Sequence, residues 1–189
     1  MPYLARLLLG SMLCVGAAAQ SRPKPADGIR RIDFRNFVFN AGGGERLRVR
    51  RGHGTYTERG DIDFAYEVDR VSVTYGDLTG DGREEAAVTL YYNGGGTGAF
   101  SKGFVFTMRR GQLALLTAFE GGDRADGGIR EVAFEGGLLR VRRNEPERMN
   151  GVSVGLCCPQ YVITTRYRWD GRALVQVGES QKAEVEEEN

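Results

Sequence analysis

Four oxygen-bearing side chains lie close together in the sequence, at a spacing that suits a small, hard cation. Asp77, Thr79, Asp81 and Glu85 occupy positions 1, 3, 5 and 9 of one segment, and Gly82 occupies position 6. Calcium loops use this spacing to turn several oxygens onto one ion, with a glycine at the sharp turn. The segment therefore predicts a calcium-binding loop. The alternative is an ordinary turn of Asp and Gly residues without a metal.

The motif of this segment, DxTGDGxxE, resembles the calcium loop of the FG-GAP repeats in integrin-type propellers, and its first half is similar to dockerin and EF-hand loops. The resemblance implies a backbone ligand from Arg83 and side-chain ligands from Asp77, Thr79, Asp81 and Glu85. That family usually has Asn or Asp in place of Thr79, and Val88 stands where an EF-hand has its glutamate. The motif occurs once, whereas a propeller needs several blades, so the resemblance extends over about twelve residues and not over the fold.

A calcium ion at this loop is expected to be structural. Three carboxylates in one turn repel one another unless a cation or an arginine neutralises them. Calcium is abundant outside cells, and modules with dissociation constants of about 10⁻⁴–10⁻³ M are constantly occupied there. The longer run YGDLTGDG, with a later GGTG, also resembles uncharacterised exported bacterial proteins, a resemblance that implies export but no particular activity.

No set of residues in the sequence predicts a catalytic centre. His53 is the only histidine, and no motif places a serine or cysteine nucleophile beside it, which disfavours a catalytic triad and a histidine-based zinc site. The glycine-rich loop after Asn93 lacks the lysine of a P-loop. Asp123 and Asp126 form a second acidic cluster that could lend a ligand or form its own site, but its spacing matches no specific motif and a solvated loop is favoured. We therefore expect a binding or structural protein rather than an enzyme.

Arginines occupy the polar positions of three predicted strands. They fall into three groups, Arg46/Arg48/Arg50, Arg140/Arg142 and Arg166/Arg168. If these strands are neighbours, the arginines form a basic stripe suited to a polyanion or an acidic glycan. The alternative is a solvated outer face that Asp and Glu balance.

The N-terminus has the features of an export signal. Residues 7–15 form an apolar run too short for a membrane span, and three alanines end at Ala19, where a signal peptidase would cut. Cys14 lacks the small preceding residue of a lipoprotein signal, which disfavours a lipid anchor. We predict a signal peptide at 1–19, a linker at 20–28, and an exported chain, periplasmic or extracellular, without a transmembrane segment.

The charge of the mature chain is balanced. Loss of Arg6 leaves 25 of the 26 basic residues against 25 acidic ones. Binding to nucleic acids depends on net positive charge at the phosphates, so we expect no nucleic-acid partner.

The two cysteines that follow the leader are adjacent, at Cys157 and Cys158. They predict no long-range disulfide. We expect a structural role in a stiff turn before Pro159, while a strained vicinal disulfide, pairing between chains and reduced thiols stay open.

Most of the chain predicts strands and turns, without helices. Apolar and polar residues alternate over 32–39, 46–50 and 161–169, and 86–92 is nearly continuously apolar, as in a strand buried on both faces. A change of parity after Asp69-Arg70 predicts a bulge. Glycine turns predict three hairpins and one further turn, at Arg110-Gly111, Gly136-Gly137, Asp170-Gly171 and Gly52-His53-Gly54.

These elements predict one all-β domain at residues 29–178. We expect about ten antiparallel strands in a meander, curled into a barrel or a sandwich, because a long flat sheet exposes its edges. The acidic tail at 179–189 is predicted to be disordered. The predicted function is an exported β-module with a calcium-pinned loop that contacts an envelope component or another protein. Two alternatives stay open: a metal-assisted hydrolase at the acidic loop, and a polyanion- or glycan-binding module at the arginine face.

Overall fold

The computed structural model describes residues 28–42, 45–58, 64–94, 98–154 and 158–185. The predicted leader, nearly all of the predicted linker, Cys157 and the last four residues lie outside this part of the chain. Within it the protein is all-β, as the sequence predicts. It has fourteen strands and two 3-10 turns, Gly28–Arg31 and Phe34–Asn36. No helix in the described ranges has the length and apolar character needed to cross a membrane.

The strands follow one another along the chain with short connections. In chain order they are β1 (Val38–Gly42), β2 (Glu45–Arg50), β3 (His53–Glu58), β4 (Phe64–Gly76), β5 (Glu85–Asn93), β6 (Ala99–Arg109), β7 (Gln112–Asp123), β8 (Ile129–Glu135), β9 (Leu138–Glu145), β10 (Glu147–Met149), β11 (Val152–Val154), β12 (Tyr161–Trp169), β13 (Leu174–Gln176) and β14 (Gln181–Glu184).

The first seven strands form one antiparallel sheet in chain order, which confirms the predicted meander. This sheet is strongly curled. The ring centroids of Phe39 in β1 and Phe104 in β6 lie 5.2 Å apart, whereas strands five places apart in a flat sheet are roughly 24 Å apart. The sheet therefore curls into a half-barrel, and its concave side holds the first apolar core.

A second sheet packs against the outer face of the half-barrel. Its strands run in the order β13-β12-β9-β8, with β14 paired to β12, and β10 and β11 form a separate hairpin. The second core lies between the two sheets and includes Ala87, Val105, Leu139 and Val141. β5 therefore contributes to both cores, which explains its continuous apolar run.

The three predicted hairpins are confirmed, as is the bulge. β6–β7, β8–β9 and β12–β13 turn where the glycines predict. The pairing of β4 with β5 shifts register between Val68 and Arg70, at the change of parity. The alternation of β2 buries Leu47 and Val49 and leaves Arg46, Arg48 and Arg50 exposed.

Three local predictions are wrong. Residues 34–36 form a 3-10 turn rather than strand, because the Asp33 side chain accepts hydrogen bonds from the backbone of Arg35 and the amide of Asn36. The turn predicted at residues 52–54 lies one residue earlier, and His53 begins β3. Residues 181–184 of the tail pair with β12 as β14 instead of being disordered.

Candidate functional site

The acidic loop, residues 77–84, connects the end of β4 to the start of β5 and turns sharply at two glycines. Gly80 and Gly82 have φ values of 75° and 78°, in the left-handed region that other residues rarely adopt. The glycine predicted to make the sharp turn does so. Leu78 points inward and is buried in the second core, so the loop is fastened to the interior at its start.

The carboxylate of Asp77 is held by the loop's own backbone. Its Oδ1 accepts a hydrogen bond from the amide of Gly80 at 2.7 Å, and its Oδ2 accepts one from the amide of Gly82 at 2.8 Å. These two bonds satisfy amides that the tight turn would otherwise leave without partners.

The carboxylate of Asp81 is paired with an arginine two residues further along the chain. Arg83 donates its backbone amide to Oδ1 at 2.8 Å and its guanidinium to Oδ2 at 2.9 and 2.5 Å. These hydrogen bonds hold the pKa of Asp81 below its usual value, the guanidinium contributing most. The Asp81 charge is thus balanced within the loop.

The carboxylate of Glu85 is fully buried at the first position of β5. Its Oε2 accepts hydrogen bonds from the amides of Leu78 and Thr79 at 2.9 and 3.1 Å. Its Oε1 accepts one from the hydroxyl of Thr107 in β6 at 2.8 Å, with a longer contact of 3.5 Å to the Thr79 hydroxyl. A buried carboxylate requires such donors, and here it fastens the acidic loop to β6.

The three carboxylates among the predicted calcium ligands, those of Asp77, Asp81 and Glu85, therefore accept hydrogen bonds from donors of the protein. In the described ranges, no three His, Cys, Asp or Glu side chains come together as the ligands of one metal ion would. A cation at Asp81 would have to displace the guanidinium of Arg83. This arrangement does not fit a ready calcium site, and calcium binding by the loop stays a prediction of the sequence.

A cleft of about 580 Å³ opens beside the acidic loop. Four elements line it: the loop itself, the end of β6, the end of β12 with its turn to β13, and Leu116 of β7. The loop contributes Thr79, Asp81 and Arg83, and β6 contributes Thr107 and Arg109. The third wall consists of Arg168, Trp169, Asp170 and Gly171.

Two arginines line this cleft without a salt bridge in the described residues, and Arg168 lies near the carboxyl group of Asp170. Arg109 and Arg168 are exposed side chains, and neither makes a hydrogen bond or an ion pair within the part of the chain that the structure describes. Each therefore keeps its five N–H donors for solvent or a ligand. Arg83 lines the same cleft, but Asp81 holds its guanidinium.

Trp169 and Asp170 follow Arg168 in the third wall of the cleft. Trp169 is half-buried, packs against the second core and pairs across the hairpin with Leu174. Asp170 Oδ1 accepts the amides of Ala173 and Arg172, each at 2.8 Å. These two bonds lower the pKa of Asp170, with that from Ala173 contributing most.

The predicted arginine stripe is divided between the two sheets. Arg46, Arg48 and Arg50 lie on β2 in the first sheet, and the other two groups lie on the paired strands β9 and β12, where Arg140 faces Arg166. Arg140 is bound by Glu131 and Glu135, and Arg142 by Glu131, while Arg166 donates to Gln181. Only Arg168 of this set reaches the cleft.

The remaining candidate residues lie elsewhere. Asp123 accepts the backbone amides of Ala99 and Ala125, and Asp126 binds Arg148 and Ser153, so both acids stabilise loops. His53 is exposed at the start of β3. Cys158 is exposed, and its neighbour Cys157 lies outside the described residues.

Sequence reasoning missed Arg109, Trp169 and Asp170 as members of one site. Arg109 precedes Trp169 and Asp170 by about sixty residues of chain, and no motif connects them. The only local signal was the Asp170-Gly171 turn, which predicts a hairpin rather than a ligand site.

A scan against protein-family models found no match for this chain, and searches of curated proteins and of solved structures found none. A functional proposal therefore depends on the geometry of the cleft.

Proposed function

We propose that the protein is a binding module that takes an anionic ligand in the cleft between the acidic loop and the β12–β13 turn. The observation that carries this proposal is the pair of arginines, Arg109 and Arg168, that line one cleft and form no salt bridge within the described residues.

Guanidinium groups suit this role for geometric reasons. Each presents N–H donors in a planar fork that matches the oxygens of a carboxylate, sulfate or phosphate. An arginine already in an ion pair must break that pair to bind a ligand, whereas Arg109 and Arg168 form none with the described residues. Their positions at the ends of β6 and β12 place them on sheet strands, which hold a site more rigidly than loops do.

Binding is favoured over the alternative of hydrolysis by the state of the acids in the cleft. Asp81 forms a salt bridge with Arg83. Asp170 accepts the backbone amides of the β12–β13 turn, and these bonds lower its pKa. A general base needs a raised or well-matched pKa and access to a water molecule. Neither carboxylate has the raised pKa that such a role would require.

The site of action is proposed from the sequence. The predicted leader at 1–19 supports export, and an exported module with an anion-binding cleft would contact an anionic component of the envelope or of the surroundings. The spacing of the acidic loop supports structural calcium as a further part of this proposal, and it is tested separately below.

The chain offers a direct probe, because Trp169 is its single tryptophan and lines the cleft. We would titrate the purified protein with glucuronate, inorganic phosphate and sulfate and follow tryptophan emission. The Arg109→Gln/Arg168→Gln variant should lose at least about tenfold in affinity for every anion that binds.

The matched control is Arg46→Gln/Arg48→Gln, which removes two exposed arginines of β2, again without ion pairs in the described residues. It changes the net charge equally but lies in another part of the fold. The proposal is wrong if none of the three anions binds, or if both variants weaken binding to the same extent.

A further inference from the structure

We infer that the ligand of the cleft is an acidic sugar: a pyranose ring that carries one carboxylate, such as a hexuronate unit. This inference rests on the proposed function and specifies the ligand class of that site. Four properties of the cleft support it, namely its aromatic lining residue, its charge, its hydrogen-bond acceptors and its size.

The aromatic lining residue is Trp169. Its indole packs on the second core and is fixed opposite Leu174 across the hairpin, so it does not have to be ordered when a ligand arrives. An indole face is a large apolar surface that suits the C–H face of a sugar ring. An inorganic oxyanion has no apolar face and gains nothing from such a surface.

The charges of the lining residues favour a ligand with a single negative charge. Three arginines, Arg83, Arg109 and Arg168, line the cleft together with two acids, Asp81 and Asp170, which leaves one net positive charge. Because Asp81 holds Arg83, Arg109, Arg168 and Asp170 set the remaining charge of the cleft. A carboxylate matches the one net positive charge, whereas a ligand with several phosphates carries more negative charge than the cleft balances.

The cleft also presents acceptors, which a ligand with hydroxyl groups can satisfy. The amides of Arg172 and Ala173 both bind Oδ1 of Asp170, which leaves Oδ2 for a ligand donor. The Thr107 hydroxyl donates to Glu85, so its oxygen lone pairs are left to accept. Arginine donors with nearby acceptors fit a molecule that combines a carboxylate with several hydroxyl groups.

The size of the cleft agrees with a sugar rather than a simple ion. Its volume of about 580 Å³ lies within the range of roughly 300–1,000 Å³ that small-molecule sites occupy. A phosphate or sulfate ion would fill only a small part of this space.

The test compares glucuronate with glucose and inorganic phosphate by calorimetry. We expect wild-type protein to bind glucuronate at least about tenfold more tightly than either of the others. Glucose has the ring without the charge, and phosphate has the charge without the ring. If phosphate binds as tightly as glucuronate, the proposed function holds and this inference is wrong. If no anion binds, the proposed function itself is wrong.

Two substitutions separate the ring from the charge. Trp169→Leu should weaken glucuronate binding and leave phosphate binding unchanged. Asp170→Asn replaces an acceptor with a donor while its Oδ1 can still cap the turn, so it should weaken glucuronate binding and strengthen phosphate binding. Because Trp169→Leu removes packing, Asp170→Asn provides an independent result if the former fails to fold. If Asp170→Asn changes the affinities for glucuronate and phosphate in the same direction, the inference is wrong.

Discussion

The hydroxyl of Thr107 donates a hydrogen bond of 2.8 Å to Oε1 of Glu85, inside the protein. Through this bond β6 is joined to a carboxylate that also holds the amides of Leu78 and Thr79. The acidic loop and β6 form two walls of the cleft, so this buried side chain helps to fix their relative position, together with the pairing of β5 and β6. We expect Glu85 to position the wall of the cleft rather than to contact a ligand.

Thr107→Val should lower the free energy of unfolding by about 1–3 kcal/mol, because it removes a donor from a buried carboxylate at almost constant volume. Urea unfolding would measure this. The control is Thr117→Val on β7, where the hydroxyl makes only a 3.4 Å contact with a backbone oxygen and the change should stay within about 0.5 kcal/mol. Equal effects of the two substitutions would show that the Glu85 bond is not important for stability.

Gly76→Ala should destabilise the protein by about 1–3 kcal/mol, because a Cβ at residue 76 would overlap the side chain of Phe134 in β8. The two sheets approach closely at this point. Gly28→Ala serves as the control, since its Cβ would make an ordinary contact of 3.6 Å with Met108. Combining Gly76→Ala with Phe134→Leu should recover part of the loss, and no recovery would contradict the overlap as its cause.

The Glu131 cluster predicts a pH dependence. Hydrogen bonds from Arg140, and then from Arg142, hold the pKa of Glu131 below its ordinary value of 4.5. A carboxyl group with a lowered pKa in the folded state stabilises the fold above its unfolded pKa and loses that effect as the pH falls through the folded pKa. The Tm of wild type should therefore exceed that of Glu131→Gln at neutral pH. This difference in Tm should shrink as the pH falls below 4.5.

The matched control for this titration is Glu179→Gln, an exposed acid without an ion pair in the described part of the chain. Its Tm should follow that of wild type across the whole range. A Glu131→Gln difference that persists in acid would mean that lost packing, and not charge, causes the effect.

Structural calcium in the acidic loop can be tested through Arg83. If calcium binds only the folded protein and its concentration is ~100 times the dissociation constant, it adds about 2.7 kcal/mol to the free energy of unfolding. For a domain of this size, that raises Tm by roughly 5–11 °C. Arg83→Met keeps the backbone carbonyl and frees Asp81, so calcium should raise the Tm of this variant more than that of wild type. Asp81→Ala should abolish the rise. Identical curves with calcium and with chelator in wild type and in Arg83→Met would make the loop a metal-free turn.

Most strands and the order of the first sheet were predictable because the relevant signal is local. Alternation in β2 and β12 follows the two-residue period of the pleat, and turns such as Asp170-Gly171 set which strands pair. β5 was recognisable as central because an apolar run without alternation needs a partner on both faces. The two cores around it bear this out.

Other features depend on interactions that the pattern does not encode. β14 has only exposed side chains, and it is held by backbone pairing with β12, so its sequence resembles a solvated tail. The cleft unites Arg109 from β6 with Arg168 from β12 through the packing of two sheets. No periodicity within either strand indicates that these two side chains share a site.

The central claim is that Arg109 and Arg168 form an anion site beside Trp169. The most direct test is a glucuronate titration of wild type, Arg109→Gln/Arg168→Gln and Arg46→Gln/Arg48→Gln, followed by the emission of the single tryptophan. We predict saturable binding to wild type and to the β2 variant, and a loss of at least about tenfold in the cleft variant. Binding to the cleft variant within about twofold of wild type would contradict the claim.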